Sequence, residues 1–196
     1  MLTWVWLGII AIAVVGTVIV IRQRMALPHK KEQDALPSLQ RTVFTLQIGD
    51  IVQYEGVDWV VEGRLTFDDS GYSWFEYMLQ DNDTIRWLSV EEDDRVEVLW
   101  MEPAANLDIS GEPPNRITYA GTTYQQVEQG SARMTRIGTT MNKQAQRCRY
   151  FEYTAPNGQV LSVENWDGDI EVSVGKRIRP SSLLLLPGDG RRVYDD

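Results

Sequence analysis

The chain is predicted to be mainly β: two tandem antiparallel β units, each a small sandwich or partly open barrel, packed as a pseudo-dimer and joined to one N-terminal transmembrane helix. Three observations lead there. Short runs rich in Val, Ile, Tyr, Trp and Phe are separated by Gly, Asn and Asp clusters at roughly ten-residue spacing, the pattern of antiparallel strands. One stretch repeats another in order: Tyr54-Glu55-Gly56-Val57-Asp58-Trp59 returns as Tyr119-Ala120-Gly121-Thr122-Thr123-Tyr124, Phe75-Glu76-Tyr77 as Phe151-Glu152-Tyr153, Leu88-Ser89-Val90-Glu91 as Leu161-Ser162-Val163-Glu164, and Val96-Glu97-Val98 as Ile170-Glu171-Val172. The third is a long apolar run near the N-terminus.

That run, Leu2 to Ile21, holds 20 uncharged residues. As a helix it spans about 30 Å, enough to cross a bilayer's hydrocarbon core once. Arg22, Arg24, Lys30 and Lys31 follow it and no basic side chain precedes it, so the positive-inside rule puts the N-terminus outside and the remainder in the cytoplasm. A cleaved signal peptide would want a basic n-region and a shorter apolar core, which are lacking. Residues 1–24 are thus read as a membrane anchor. Residues 25–45, with Pro28, Pro37 and mixed charges, form a flexible tether.

Residues 46–102 make the first β repeat, with strands near 50–55, 57–67, 72–80, 84–91 and 95–101 and a turn at Asp81-Asn82-Asp83. Gly111 and Pro113-Pro114 mark 103–115 as a linker. Residues 116–186 make the second repeat, with strands near 116–120, 122–129, 132–138, 147–155, 159–164 and 169–174. Asn157-Gly158 is its strongest turn signal, because a type I′ turn needs positive φ at both central residues. Residues 187–196 read as a frayed tail.

The repeats have diverged in charge. Residues 46–102 hold 15 Asp and Glu against 3 Lys and Arg, whereas residues 115–180 hold 6 against 9, within a chain of net charge −9. Between the Trp59/Tyr124 and Phe75/Phe151 positions the second repeat has 11 more residues. There, residues 131–149 carry Arg133, Arg136, Lys143, Arg147 and Arg149 without an acid, a basic arm expected to form a long hairpin. It is expected to land either on the acidic first repeat or on anionic headgroups.

The run Ile48-Gly49-Asp50-Ile51-Val52-x-Tyr54-x-Gly56-x-x-Trp59, followed by Gly71-Tyr72-x-Trp74-x-Glu76-Tyr77 and Arg86-Trp87-Leu88-Ser89-Val90-Glu91, resembles the bacterial family designated domain of unknown function 4178. The resemblance covers about residues 46–180. It implies a β-rich domain, and a bacterial inner membrane as the one crossed. Genes of the family tend to lie near those for phage-shock-type membrane-stress proteins and polyamine-synthase-like proteins, which implies a membrane-linked role. It carries no activity and no catalytic residue.

Catalytic chemistry has little support. His29, the sole histidine, falls in the tether, so a Ser/His or Cys/His apparatus on the folded part is excluded. Cys148, the sole cysteine, sits between Arg147 and Arg149; with no base or resolving cysteine it reads as a plain strand residue. No metal, cofactor or nucleotide motif is expected. Acid in the first repeat argues against nucleic acid. Trp59, Trp74 and Trp87 read first as core. Together with Glu76, Glu91, Glu92, Asp93 and Asp94 they also form a candidate patch for a partner or a cationic ligand. Glu76 and Glu152 each stand between two aromatics in an apolar strand and therefore point away from those rings, to water or to an arginine such as Arg86. The expected function is a non-enzymatic, single-pass interaction or scaffold module with a protein partner at the cytoplasmic membrane face. The alternative is a sensor for a small cationic metabolite such as a polyamine.

Overall fold

The computed structural model describes residues 40–104, 106–140 and 146–194. The apolar run, the tether up to residue 39 and Lys143 lie outside the described residues. Among those described there is no α-helix, and no helix long and apolar enough to cross a membrane.

Eleven strands succeed one another: β1 (Ile51–Tyr54), β2 (Val57–Asp69), β3 (Tyr72–Asp81), β4 (Thr84–Glu92), β5 (Val96–Pro103), β6 (Arg116–Tyr119), β7 (Thr122–Gly138), β8 (Arg147–Ala155), β9 (Gln159–Trp166), β10 (Asp169–Ile178) and β11 (Leu184–Leu186). All pairings are antiparallel. The sheet runs β11-β1-β2-β3-β4-β5-β10-β9-β8-β7-β6, and β7 also pairs with β2, so eight strands close into a barrel. Instead of two separate small units, the first half supplies β2 to β5 and the second β7 to β10. The reason lies in the edges. A four-stranded unit leaves two rows of unpaired backbone groups, and the β2–β7 and β5–β10 seams remove them.

The hairpin ends obey turn chemistry. Asn157 and Gly158 both take positive φ, as do Glu55-Gly56 and Ala120-Gly121. Strand 132–138 is no separate element, because β7 runs unbroken from Thr122 to Gly138. The basic arm is the end of β7, the start of β8 and the loop between them. Its Arg133–Gly138 stretch crosses onto the first half as the backbone ladder with β2.

Each long strand contains a bulge, at Glu62 in β2 and at Val127 in β7, where the register shifts by a residue. A bulge inverts the alternation of faces. Before it, Trp59 and Val61 pack in an outer core; after it, Leu65 and Phe67 point into the barrel. In β7 the same inversion separates Tyr124 from Ala132 and Met134. Three apolar clusters result. One fills the lumen with residues of both halves, among them Phe67, Trp74, Met78, Trp87, Met134, Tyr150 and Trp166. The others coat the outside: Tyr54, Trp59, Tyr77, Leu88, Val90 and Val98 in the first half, and Tyr124, Tyr153, Leu161, Val163 and Val172 in the second.

Residues 188–194 are not a frayed tail. Leu184–Leu186 pairs with β1, and two buried carboxylates bind the residues beyond β11. Asp50 accepts from the Gly188 amide at 2.8 Å and holds the Arg41 guanidinium. Glu62, 0% exposed at its bulge, accepts from the amides of Val193 and Tyr194 and pairs with Arg192 at 3.1 Å. A buried charge needs such partners, and the tail supplies them.

Candidate functional site

Alternation decides what the lumen contains. In β3, Phe75, Tyr77 and Leu79 belong to the outer core and Trp74 and Met78 to the inner, so Glu76 shares the lumen face. In β8, Phe151 and Tyr153 lie outside and Tyr150 inside, which sends Glu152 inward. Each glutamate has a serine opposite it on the next strand: Ser89 across from Glu76, and Ser162 across from Glu152. The Ser162 hydroxyl donates to Glu152 Oε1 at 2.7 Å.

These four residues border two connected spaces. The larger, about 110 Å³, is lined by Glu76, Ser89, Glu91, Glu128, Glu152 and Arg177 together with Tyr72, Trp74, Tyr150 and Val160. A smaller one, about 30 Å³, lies between Glu76, Trp87, Ser89, Glu152, Ser162, Glu164 and Ser173. Tyr72, Glu91 and Glu128 also belong to an open vestibule of about 600 Å³ with Asp93, Asp94, Arg95 and Glu97. Seven carboxylates therefore border the path from vestibule to cavity against two guanidiniums. Both guanidiniums are engaged, since Glu97 pairs with Arg95 at 2.8 Å and with Arg177 at 2.6 Å.

The electrostatics derive from burial. Glu152 has the protein around it and only the cavity in front, so desolvation pushes its carboxyl up to about 8. The Ser162 hydrogen bond opposes the shift, and the negative field of Glu164, Glu91 and Glu128 adds to it. Glu91 is raised for the same first reason, partly offset by the Tyr72 hydroxyl that donates to it at 3.2 Å. Tyr72 itself is pushed up to about 12 by burial and by Glu91. Tyr150 donates to Asp69 Oδ2 at 3.0 Å and is raised by burial and that bond. Trp166 donates its indole N–H to Glu164 at 3.1 Å. The lumen thus presents oxygens, among them those of Glu152 and Glu91, whose charged forms burial disfavours, beside flat aromatic faces. Such a surface can accept hydrogen bonds from an ammonium group and stack its methylenes.

The sequence-selected residues divide. Glu76, Trp74 and Glu91 line the cavity and Asp93 and Asp94 its vestibule, while Trp87 borders the smaller space. Glu92 lines neither. Trp59 lies in the outer core with Arg86 over its ring. Arg86 does not serve Glu76 as the sequence suggested, because it pairs with Glu102 at 2.8 Å. Arg133, Arg136 and Arg147 meet at one concavity, whereas Arg149 turns outward to Glu112 at 2.8 Å. Cys148 is buried in the lumen core, its thiol toward the Arg149 carbonyl. Among the described residues no group of three or more His, Cys, Asp or Glu is placed to hold a metal. Ser89, Ser162, Glu128, Tyr150 and Arg177 were not foreseen. The repeated Leu-Ser-Val-Glu contained the signal for the serines, since its Ser and Glu share the face opposite the apolar pair.

The profile of a domain of unknown function, DUF4178, matches residues 47–180, and that span contains every strand of the barrel. The chain belongs to the DUF4178 family. Uncharacterized proteins of Mycobacterium tuberculosis and Mycobacterium bovis are each 33% identical to this DUF4178 chain over 148 residues, covering 71% of it and 70% of the relative. An uncharacterized protein of Aquifex aeolicus is 22% identical over 176 residues, 85% of this chain and 96% of that one. No solved structure matches the DUF4178 chain.

Proposed function

We propose that the barrel is a non-enzymatic binding module whose lumen takes the end of a linear aliphatic amine, such as a polyamine. The observation that carries this reading is the inward Glu76 and Glu152 at a cavity that shares Tyr72, Glu91 and Glu128 with an acidic vestibule. The cavity of about 110 Å³ has room for roughly four waters at liquid density, the space needed by an ammonium group and two or three methylenes. Trp74, Tyr72 and Tyr150 supply faces for the chain, and the vestibule supplies carboxylates for further ammonium groups.

The module is read as anchored by Leu2–Ile21 to the inner face of a bacterial membrane, which would make it a local sensor coupled to a protein partner. It is also read as an internal duplication. Support comes from the seams, which join β2 to β7 and β5 to β10, strands that correspond under the sequence repeat, and from bulges at the corresponding residues Glu62 and Val127.

Calorimetry of the full chain in mild detergent, titrated with spermidine, tests the ligand. Saturable binding is expected, weakened tenfold or more by Glu76→Gln with Glu152→Gln. No binding at millimolar spermidine, or binding unchanged by the double variant, rejects the lumen site. Alkaline carbonate washing of membranes tests the anchor, whose prediction is that the chain stays in the pellet.

A further inference from the structure

We propose that the concavity between β7 and β8 docks onto anionic lipid headgroups through its three arginines. The concavity, of about 730 Å³, is lined by Arg133, Thr135, Arg136, Gln146 and Arg147, with Asp167 its one carboxylate. Arg41, Arg86, Arg95, Arg149, Arg177 and Arg192 each pair with a carboxylate. Among the described residues, Arg133, Arg136 and Arg147 make no ion pair. Arg133 and Arg147 stand directly opposite each other on neighbouring strands, where like charges oppose pairing. Asp68, on the other side of Arg133 in the β2 ladder, accepts from the Ser73 hydroxyl at 3.2 Å and lines a hollow with Arg133 and Arg147, so one carboxylate there faces two guanidiniums. An external anion relieves the repulsion that remains.

One feature selects lipid phosphates over a dissolved anion. Ile137 is 54% exposed and shares the outward face of Arg133, placing an apolar side chain among guanidiniums as at a headgroup boundary. This inference rests on the anchor reading for proximity to a membrane but not on the lumen ligand.

The test uses the full chain in lipid nanodiscs, with a fluorophore at Ile137→Cys and Cys148→Ser in the background. Nitroxide headgroup lipids should quench it several-fold more with 30% phosphatidylglycerol than with phosphatidylcholine alone, and 0.5 M NaCl should remove the difference. Arg133→Gln with Arg136→Gln and Arg147→Gln should abolish it without lowering the melting temperature, because these side chains are exposed. A control with the same charge change elsewhere, Arg116→Gln with Arg179→Gln and Arg191→Gln, should keep it. Equal quenching in both discs, or equal loss in both triple variants, overturns the proposal. If the chain is extracted by carbonate, the anchor reading fails separately. Sedimentation with vesicles of the same lipids then takes the place of the discs, and absence of salt-sensitive binding there overturns the docking as well.

Discussion

Glu152 sets the behaviour expected at the scale of a residue. Its carboxyl is held near 8 in the folded chain against about 4.5 when unfolded, so above pH 4.5 the unfolded chain releases a proton that the folded chain retains. Stability should therefore fall as pH rises from about 5 through 8, by on the order of 3–5 kcal/mol for this group. Glu152→Gln should flatten that slope, as read by urea unfolding at pH 5.5 and 8.5. Glycines give a second contrast. A methyl group on Gly63 would drive into the Thr139 carbonyl at the β2–β7 seam, so Gly63→Ala should cost about 3 kcal/mol. Gly56 has open space and only a positive φ to lose, and Gly56→Ala should cost about 1 kcal/mol in the same assay.

Strands and tails show how far sequence reasoning reaches. The strands of the first half and the Asn157-Gly158 turn were legible within a residue or two, because alternation and turn chemistry are local. The continuity of β7 was not. Its bulge at Val127 inverts the inward face, which in a sequence looks like one strand stopping and another starting. The inward direction of Glu76 and Glu152 was half legible: the rings beside them fixed their face, but only closure of the sheet turned that face from solvent to lumen. The tail was illegible because its partners, Asp50 and Glu62, lie more than 130 residues upstream. Ending the chain after Leu186 should strip both carboxylates of those amides and cost about 2–4 kcal/mol, with faster amide exchange in β1 and β2.

At the scale of the molecule, the shared lumen makes the halves interdependent even though each has its own outer core. Residues 40–104 produced alone lack β7 and β10 and keep Leu65, Phe67, Trp74, Met78 and Trp87 wet. They should show no cooperative unfolding transition by circular dichroism, whereas residues 40–196 should unfold in one step. An independently folding first half would mean that the seams are dispensable.

The pairing of β1 with β11 has a consequence for the order in which the protein comes into being. During synthesis β1 leaves the ribosome more than a hundred residues before the strand that covers its outer edge, and β2 waits about half as long for the end of β7. Every seam is thus a contact of long sequence separation, slow to form and open to wrong partners until its later strand emerges. The nascent chain carries the edge of β2 unpaired until β7 is made, and that of β1 until β11 is.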